Sequence, residues 1–188
     1  MFRSGYVAPG YESEHEDVWV ASMLTTSTAT GNYPGDSENS ANWPGFAPGR
    51  VGVLNTLSPK YFNVAGIVDL DEKPPILWIH GDSDAIVSDA SFFDINYLGQ
   101  LGIVPGWPGE EAAPAQQMVS QMRDVLRAYS EAGGSVTEAL FEETGHTPNI
   151  EQPEAFRDAL LAHIAPAPVN PGTDPNPPTE AFILKSED

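Results

Sequence analysis

Two side chains in this sequence have the chemistry and the setting to work as a proton-transfer pair, Asp84 and His146. Asp84 stands in "ILWIHGDSDAIVSD" (76–89) and His146 in "EETGHTPNIEQPEAF" (142–156). Each follows an apolar run by a short turn. Loops at the carboxyl ends of parallel strands are where open α/β sheets carry their reacting groups. A carboxylate that accepts one imidazole N–H fixes the tautomer and stabilises the imidazolium formed when the ring takes a proton. That chemistry needs the two groups on neighbouring strand ends, and an acid loop after one strand with a histidine loop after the next supplies such a placement.

The other candidates are weaker. Ser83 lies in a Gly81-Asp82-Ser83 string that reads as a nucleophile loop, and Asp82 and Asp89 lie close by. Loop acids in an acid-rich chain are by default solvated. His80 ends an apolar run and is expected to be packed and hydrogen-bonded. His163 is placed to meet a helix dipole. His15 belongs to a charged helix start, and "HEDVW" is not an HExxH zinc motif. There is no cysteine, which excludes disulfides, thiolate catalysis and Cys-ligated zinc. No metal or organic cofactor is implied.

The elements that must position the pair follow from pattern. Ile76–Ile79 is a short continuous apolar run, expected as a strand buried on both faces. Val136–Phe141 is a second strand. Between them the 3.6-residue spacing of Met118, Met122, Val125, Leu126 and Tyr129 predicts a helix over Ala115–Glu131, ended by Gly133-Gly134. The long crossover makes the strands parallel. A last helix opens at Pro153, with Phe156, Leu160 and Ile164 on one stripe. Upstream, Ser13 and Glu16 have capping-box spacing before a helix over Ser13–Thr25. From there to about residue 70 the chain is dense in turn residues but rich in aromatics, which favours an ordered loop. The expected organisation is therefore 1–70 as an irregular cap or lid, 71–165 as α/β core, and 166–188 as a proline-rich extended tail. Two parallel strands do not make a stable sheet alone. Either further strands are hidden in the first seventy residues or the chain belongs to a larger fold.

The formal charge is −19, from 27 acidic and 8 basic residues. Such a surface repels nucleic-acid phosphates and anionic membranes, so neither is expected as a partner. No signal peptide or transmembrane run is visible, and the expected location is the cytoplasm.

With these motifs in order, residues from about 72 to 164 resemble the C-terminal third of α/β-hydrolase-fold enzymes. The acid segment of that family reads apolar strand, then G-x-x-D-x-[IV]-V; here that is Gly81, Asp84, Ile86 and Val87 after "PPILWIH". Its last segment reads strand, G-H-x-P, then a helix opening P-E-x-F; here that is Gly145, His146, Pro148, Pro153, Glu154 and Phe156. "NYPGDSENSANWPGFAPGRVGVLNTLSPKYF" resembles the cap region of actinobacterial-type members. The resemblance implies a mostly parallel sheet flanked by helices, Asp84 as triad acid, His146 as triad base, and hydrolysis of a small apolar ester-like substrate. Trp43, Phe46, Tyr61 and Phe62 are the candidates to line its pocket, with packing of the cap itself as the competing role for each.

The departure is the nucleophile. The family carries it on a G-x-S-x-G elbow ahead of the acid, and no such string occurs in the 188 residues. The expectation is a piece that begins within the cap, supplies acid and base only, and is inactive alone. An Asp nucleophile would direct the same scaffold to epoxides or haloalkanes instead. Two rivals stand beside this reading. One is a GDS-type (SGNH-like) esterase using Ser83, with Glu143 at the acid position ahead of His146. The other is a non-catalytic α/β binding domain.

Overall fold

The computed structural model describes residues 2–29 and 31–165. The expected tail from Pro166 lies outside the described residues. Among the described residues the chain is mixed helix and strand, with two small open sheets.

The sheet that matters for the site pairs β3 (Ile76–Gly81) with β4 (Val136–Phe141) in parallel, in register from Ile76↔Val136 to Gly81↔Phe141. Both strands stand where the apolar pattern places them, β3 running on through His80 and Gly81. The expected double-sided burial is not observed. Residues 76–80 are half-buried and only Gly81 is buried. On β4, Leu140 is 46% exposed. The physical reason is that, among the described residues, β3 has β4 as its one sheet neighbour, which leaves its other edge open.

Helix α4 (Met118–Glu131) makes the crossover and packs on β4 and on a 3-10 turn at Ala65–Asp69. Leu126 and Tyr129 of its apolar stripe are buried, and the Tyr129 hydroxyl donates to the Pro74 carbonyl at 2.5 Å. The helix starts three residues later than Ala115 because Asp89 takes its first free donors, Val119 N–H at 2.8 Å and Ser120 N–H at 3.0 Å. A carboxylate there also suits the positive end of the helix. Helices α5 (Pro148–Glu151) and α6 (Pro153–Ile164) follow the histidine loop. The stripe of α6 is largely uncovered: Leu160 and Ile164 are 40% and 62% exposed.

The upstream region contains strands that the turn-rich sequence conceals. β1 (Ser37–Asn39) and β2 (Phe46–Pro48) form a separate antiparallel hairpin, followed by the one-turn helix α2 (Val53–Thr56). Helix α1 covers Glu16–Leu24, and the expected capping box is not formed. Glu16 turns to Arg3, whose guanidinium donates to it from 2.7 Å, while Ser13 Oγ accepts from His15 N–H. A two-point charged pair outcompetes a single backbone cap. Helix α3 (Ile95–Gln100) is capped by Asp94, which accepts from Asn96 N–H at 2.9 Å. No helix among the described residues is long and apolar enough to cross a membrane.

Candidate active site

Gly81 and Phe141 end their strands side by side, and both chemical loops leave from that edge. The histidine loop reverses at Glu143, a non-glycine residue in the left-handed region with φ 51°. The reversal lays Thr144 and Gly145 directly over Gly81, where a Cβ would strike their carbonyl oxygens. Gly81 is therefore the residue that lets the two loops touch. Thr144 is fully buried, and Gln152 Nε2 donates to its hydroxyl at 2.5 Å. Ser83 N–H donates to the Thr144 carbonyl at 2.9 Å, a further tie between the two loops.

Within this frame Asp84 and His146 meet. His146 Nδ1 lies 2.9 Å from Asp84 Oδ2. The other carboxylate oxygen, Oδ1, accepts from Ile86 N–H at 2.7 Å and Val87 N–H at 2.9 Å. An ionised carboxylate only accepts, so Nδ1 carries a proton and Nε2 is left as the nitrogen for proton transfer. The Asp84 side chain is 7% exposed and that of His146 33%. Burial works to raise the Asp84 carboxyl. The His146 ring and the Val87 and Ile86 N–H groups outweigh it together and hold the group below the ordinary carboxylate value. The hydrogen bond to Asp84 raises His146 above its ordinary value, against the opposing effect of burial.

The remaining candidates separate from the pair. Ser83 is exposed and its hydroxyl donates to Asp82 at 2.9 Å; no hydrogen bond joins it to His146 among the described residues. Asp89 is occupied at the start of α4. His80 stacks on Trp78 at 3.9 Å and meets Glu138 at 2.9 Å, a packed side chain as expected. Trp43 packs beside Gly99 and donates to the Pro105 carbonyl at 3.1 Å. Phe46 sits on the hairpin, 49% exposed. The Tyr61 hydroxyl bonds the Gly49 carbonyl, and with Phe62 it lines a hollow against Arg50 and Asn55.

A cavity beside the histidine loop has other walls. It holds about 440 Å³ and is lined by Phe2, Tyr6, Trp19, Met23, Thr147 and Ile150, among others. Tyr6 belongs both to this wall and to the site, since its ring meets His146 edge-on at 5.8 Å. Trp43, Phe46, Tyr61 and Phe62 are not among the lining residues. The N-terminal contribution was not legible in the sequence. Phe2–Tyr6 forms a single π-helical turn, and Phe2, Val7 and Ala8 are buried. No local motif announces a contact made across some 140 residues of chain; the aromatic residues Phe2 and Tyr6 in an otherwise polar start were the one available signal.

No group of three or more His, Asp or Glu side chains among the described residues is placed to hold a metal ion. Compared with protein-family models, with curated proteins and with solved structures, the chain matches none.

Proposed function

We propose that residues 71–165 are the acid-and-base part of an α/β-hydrolase, in which Asp84 orients His146 and His146 moves the protons of ester or related carbonyl hydrolysis. The observation that carries this reading is the 2.9 Å contact between His146 Nδ1 and the shielded Asp84 carboxylate, made at the carboxyl ends of two adjacent parallel strands. In the proposed cycle His146 Nε2 takes the proton of the attacking hydroxyl as the nucleophile–carbonyl bond forms. The resulting imidazolium is stabilised by Asp84 and gives that proton to the leaving alkoxide as the ester C–O bond breaks. A water deprotonated by the same nitrogen then adds to the acyl carbon, and the imidazolium returns that proton to the nucleophile oxygen as the acyl–nucleophile bond breaks and the acid leaves. The nucleophile is not assigned to a residue of this chain. The 440 Å³ cavity lies within the size range of small-molecule pockets and would hold the apolar part of the substrate.

The test is hydrolysis of 4-nitrophenyl esters by the longest in-frame product that contains this chain. His146→Ala is expected to lower turnover by several orders of magnitude, on the order of 10⁶ where the triad acts as a unit. Activity within tenfold of the parent overturns the proposal. Ser83→Ala is expected to change turnover less than tenfold. Abolished turnover in that variant would transfer the assignment to a GDS-type mechanism.

A further inference from the structure

His146 is held from two sides, and only one of them is Asp84. Its preceding residue, Gly145, directs its N–H at the Glu151 carboxylate, 3.0 Å from each oxygen. Its following residue, Thr147, lies with its hydroxyl 3.3 Å from Glu151 Oε1 and donates to the Tyr6 carbonyl at 2.9 Å. The same carboxylate accepts from Ala8 N–H at 2.6 Å. Glu151 therefore joins the histidine loop to the segment Tyr6–Ala8, and Tyr6 packs its ring against His146.

The approach is close enough to need glycine. A Cβ on Gly145 would lie 2.6 Å from the Val7 carbonyl carbon and 2.7 Å from Ala8 N. On its other side, the segment reaches the acid loop: the position of a Cβ on Gly5 is 3.7 Å from the Phe93 ring and 3.9 Å from Ile86 Cδ1. The N-terminal segment thus bridges both loops, and one carboxylate fastens it. A backbone N–H held by a carboxylate makes a charge-assisted bond, about twice as strong as a neutral one. Gly145 immediately precedes the histidine, so a shift of its backbone moves the ring. Without the Glu151 tie, the ring could leave Asp84 while the sheet remained intact.

We infer that Glu151 is a positioning residue for His146: it ties Gly145, the residue before the histidine, to Ala8 of the N-terminal segment and so sets the ring against Asp84. This rests on the proposed acid–base role of the pair, and the measurement separates the two. The whole chain, isotopically labelled, is followed by NMR. The His146 ring is titrated, and amide exchange is read at Gly145, Ala8 and, as reference, Leu77 and Ile79 in β3.

In the parent, His146 is expected to titrate above the ordinary histidine value. In Glu151→Ala it is expected to move down toward that value, with exchange at Gly145 and Ala8 accelerated tenfold or more and exchange in β3 unchanged. Glu151→Gln, which keeps the volume and one acceptor oxygen, is expected to fall between the two. Tyr11→Phe removes the separate bond to the Ile150 carbonyl (3.0 Å) and is expected to move neither readout. An ordinary His146 titration in the parent overturns the Asp84–His146 reading itself. A raised value that persists in Glu151→Ala, whatever the exchange rates, leaves the pair standing and overturns the positioning role. A shift in Tyr11→Phe equal to that in Glu151→Ala also overturns it, since any loosening of the segment would then suffice.

Discussion

The string Gly-Asp-Ser occurs twice, at 35–37 and at 81–83, and the regions around the two copies put a hydrogen-bonded carboxylate to different use. In the hairpin region Asp36 Oδ1 accepts from Arg50 N–H at 2.8 Å, Val51 N–H at 2.9 Å and Asn55 Nδ2 at 3.0 Å. The Val51 N–H foremost, and the Arg50 N–H after it, hold its carboxyl below the ordinary value against desolvation. In the site region the carboxylate that matters is not the Asp of the string but Asp84, two residues on. It gives one oxygen to the backbone and keeps the other for His146. Both carboxylates are depressed. A depressed carboxylate therefore does not mark a site. What distinguishes Asp84 is that its second oxygen faces a group that can itself gain and lose a proton.

The comparison is broken most directly by neutralising each carboxylate in turn. Asp84→Asn, in the product assayed above, is expected to reduce turnover about 10⁴-fold, because an amide at that position favours the wrong tautomer. Asp36→Asn is expected to leave turnover within tenfold and to lower the thermal midpoint instead. Equal losses of turnover would show that both carboxylates act only through the fold.

A smaller effect separates the two aromatic regions. Trp19→Ala, in the wall of the cavity beside His146, is expected to raise KM about tenfold through lost apolar contact. Phe62→Ala, in the hairpin region, is expected to leave KM within twofold. The reverse order would return the substrate pocket to Trp43, Phe46, Tyr61 and Phe62.

The smallest effect is the pH dependence of stability. Asp84 is depressed in the folded state, so its contribution is present above the unfolded carboxylate value of about 3.9 and is lost as pH falls through the folded one. His146 is raised, so its contribution is complete below the unfolded value of about 6.5 and is lost as pH rises through the folded one. The pair therefore stabilises most between about pH 4 and 6.5. Urea midpoints of the parent and of His146→Gln are expected to differ most in that window and to converge on the alkaline side. A difference that stays constant from pH 5 to 9 would place His146 outside the pair.

Much of the site was legible because it depends on short-range pattern. The apolar run at Ile76 and the segment Val136–Phe141 between Gly133-Gly134 and the next turn mark two strands. The turn residues behind them mark where chain direction changes, and Asp84 and His146 are the titratable groups at those turns. The errors have one source. The capping box at Ser13 has correct local spacing but loses Glu16 to Arg3, thirteen residues away. The β1–β2 hairpin is hidden because strands of three residues carry too little period to read. Residue type alone does not say which wall Trp43, Phe46, Tyr61 and Phe62 join; they lie outside the lining of the cavity beside the histidine loop.

The sequence by itself determined the parallel strand pair, the crossover helix and the two loops that carry Asp84 and His146, since each is encoded within a few residues of its own position. Only the tertiary structure decided that Asp84 and His146 bond and that Asp89 is spent on a helix start. It also decided that Phe2–Ala8 closes over the histidine, with Glu151 as its fastening. Those contacts join residues up to 143 positions apart, and local patterns carry no record of which distant backbone N–H a carboxylate will meet.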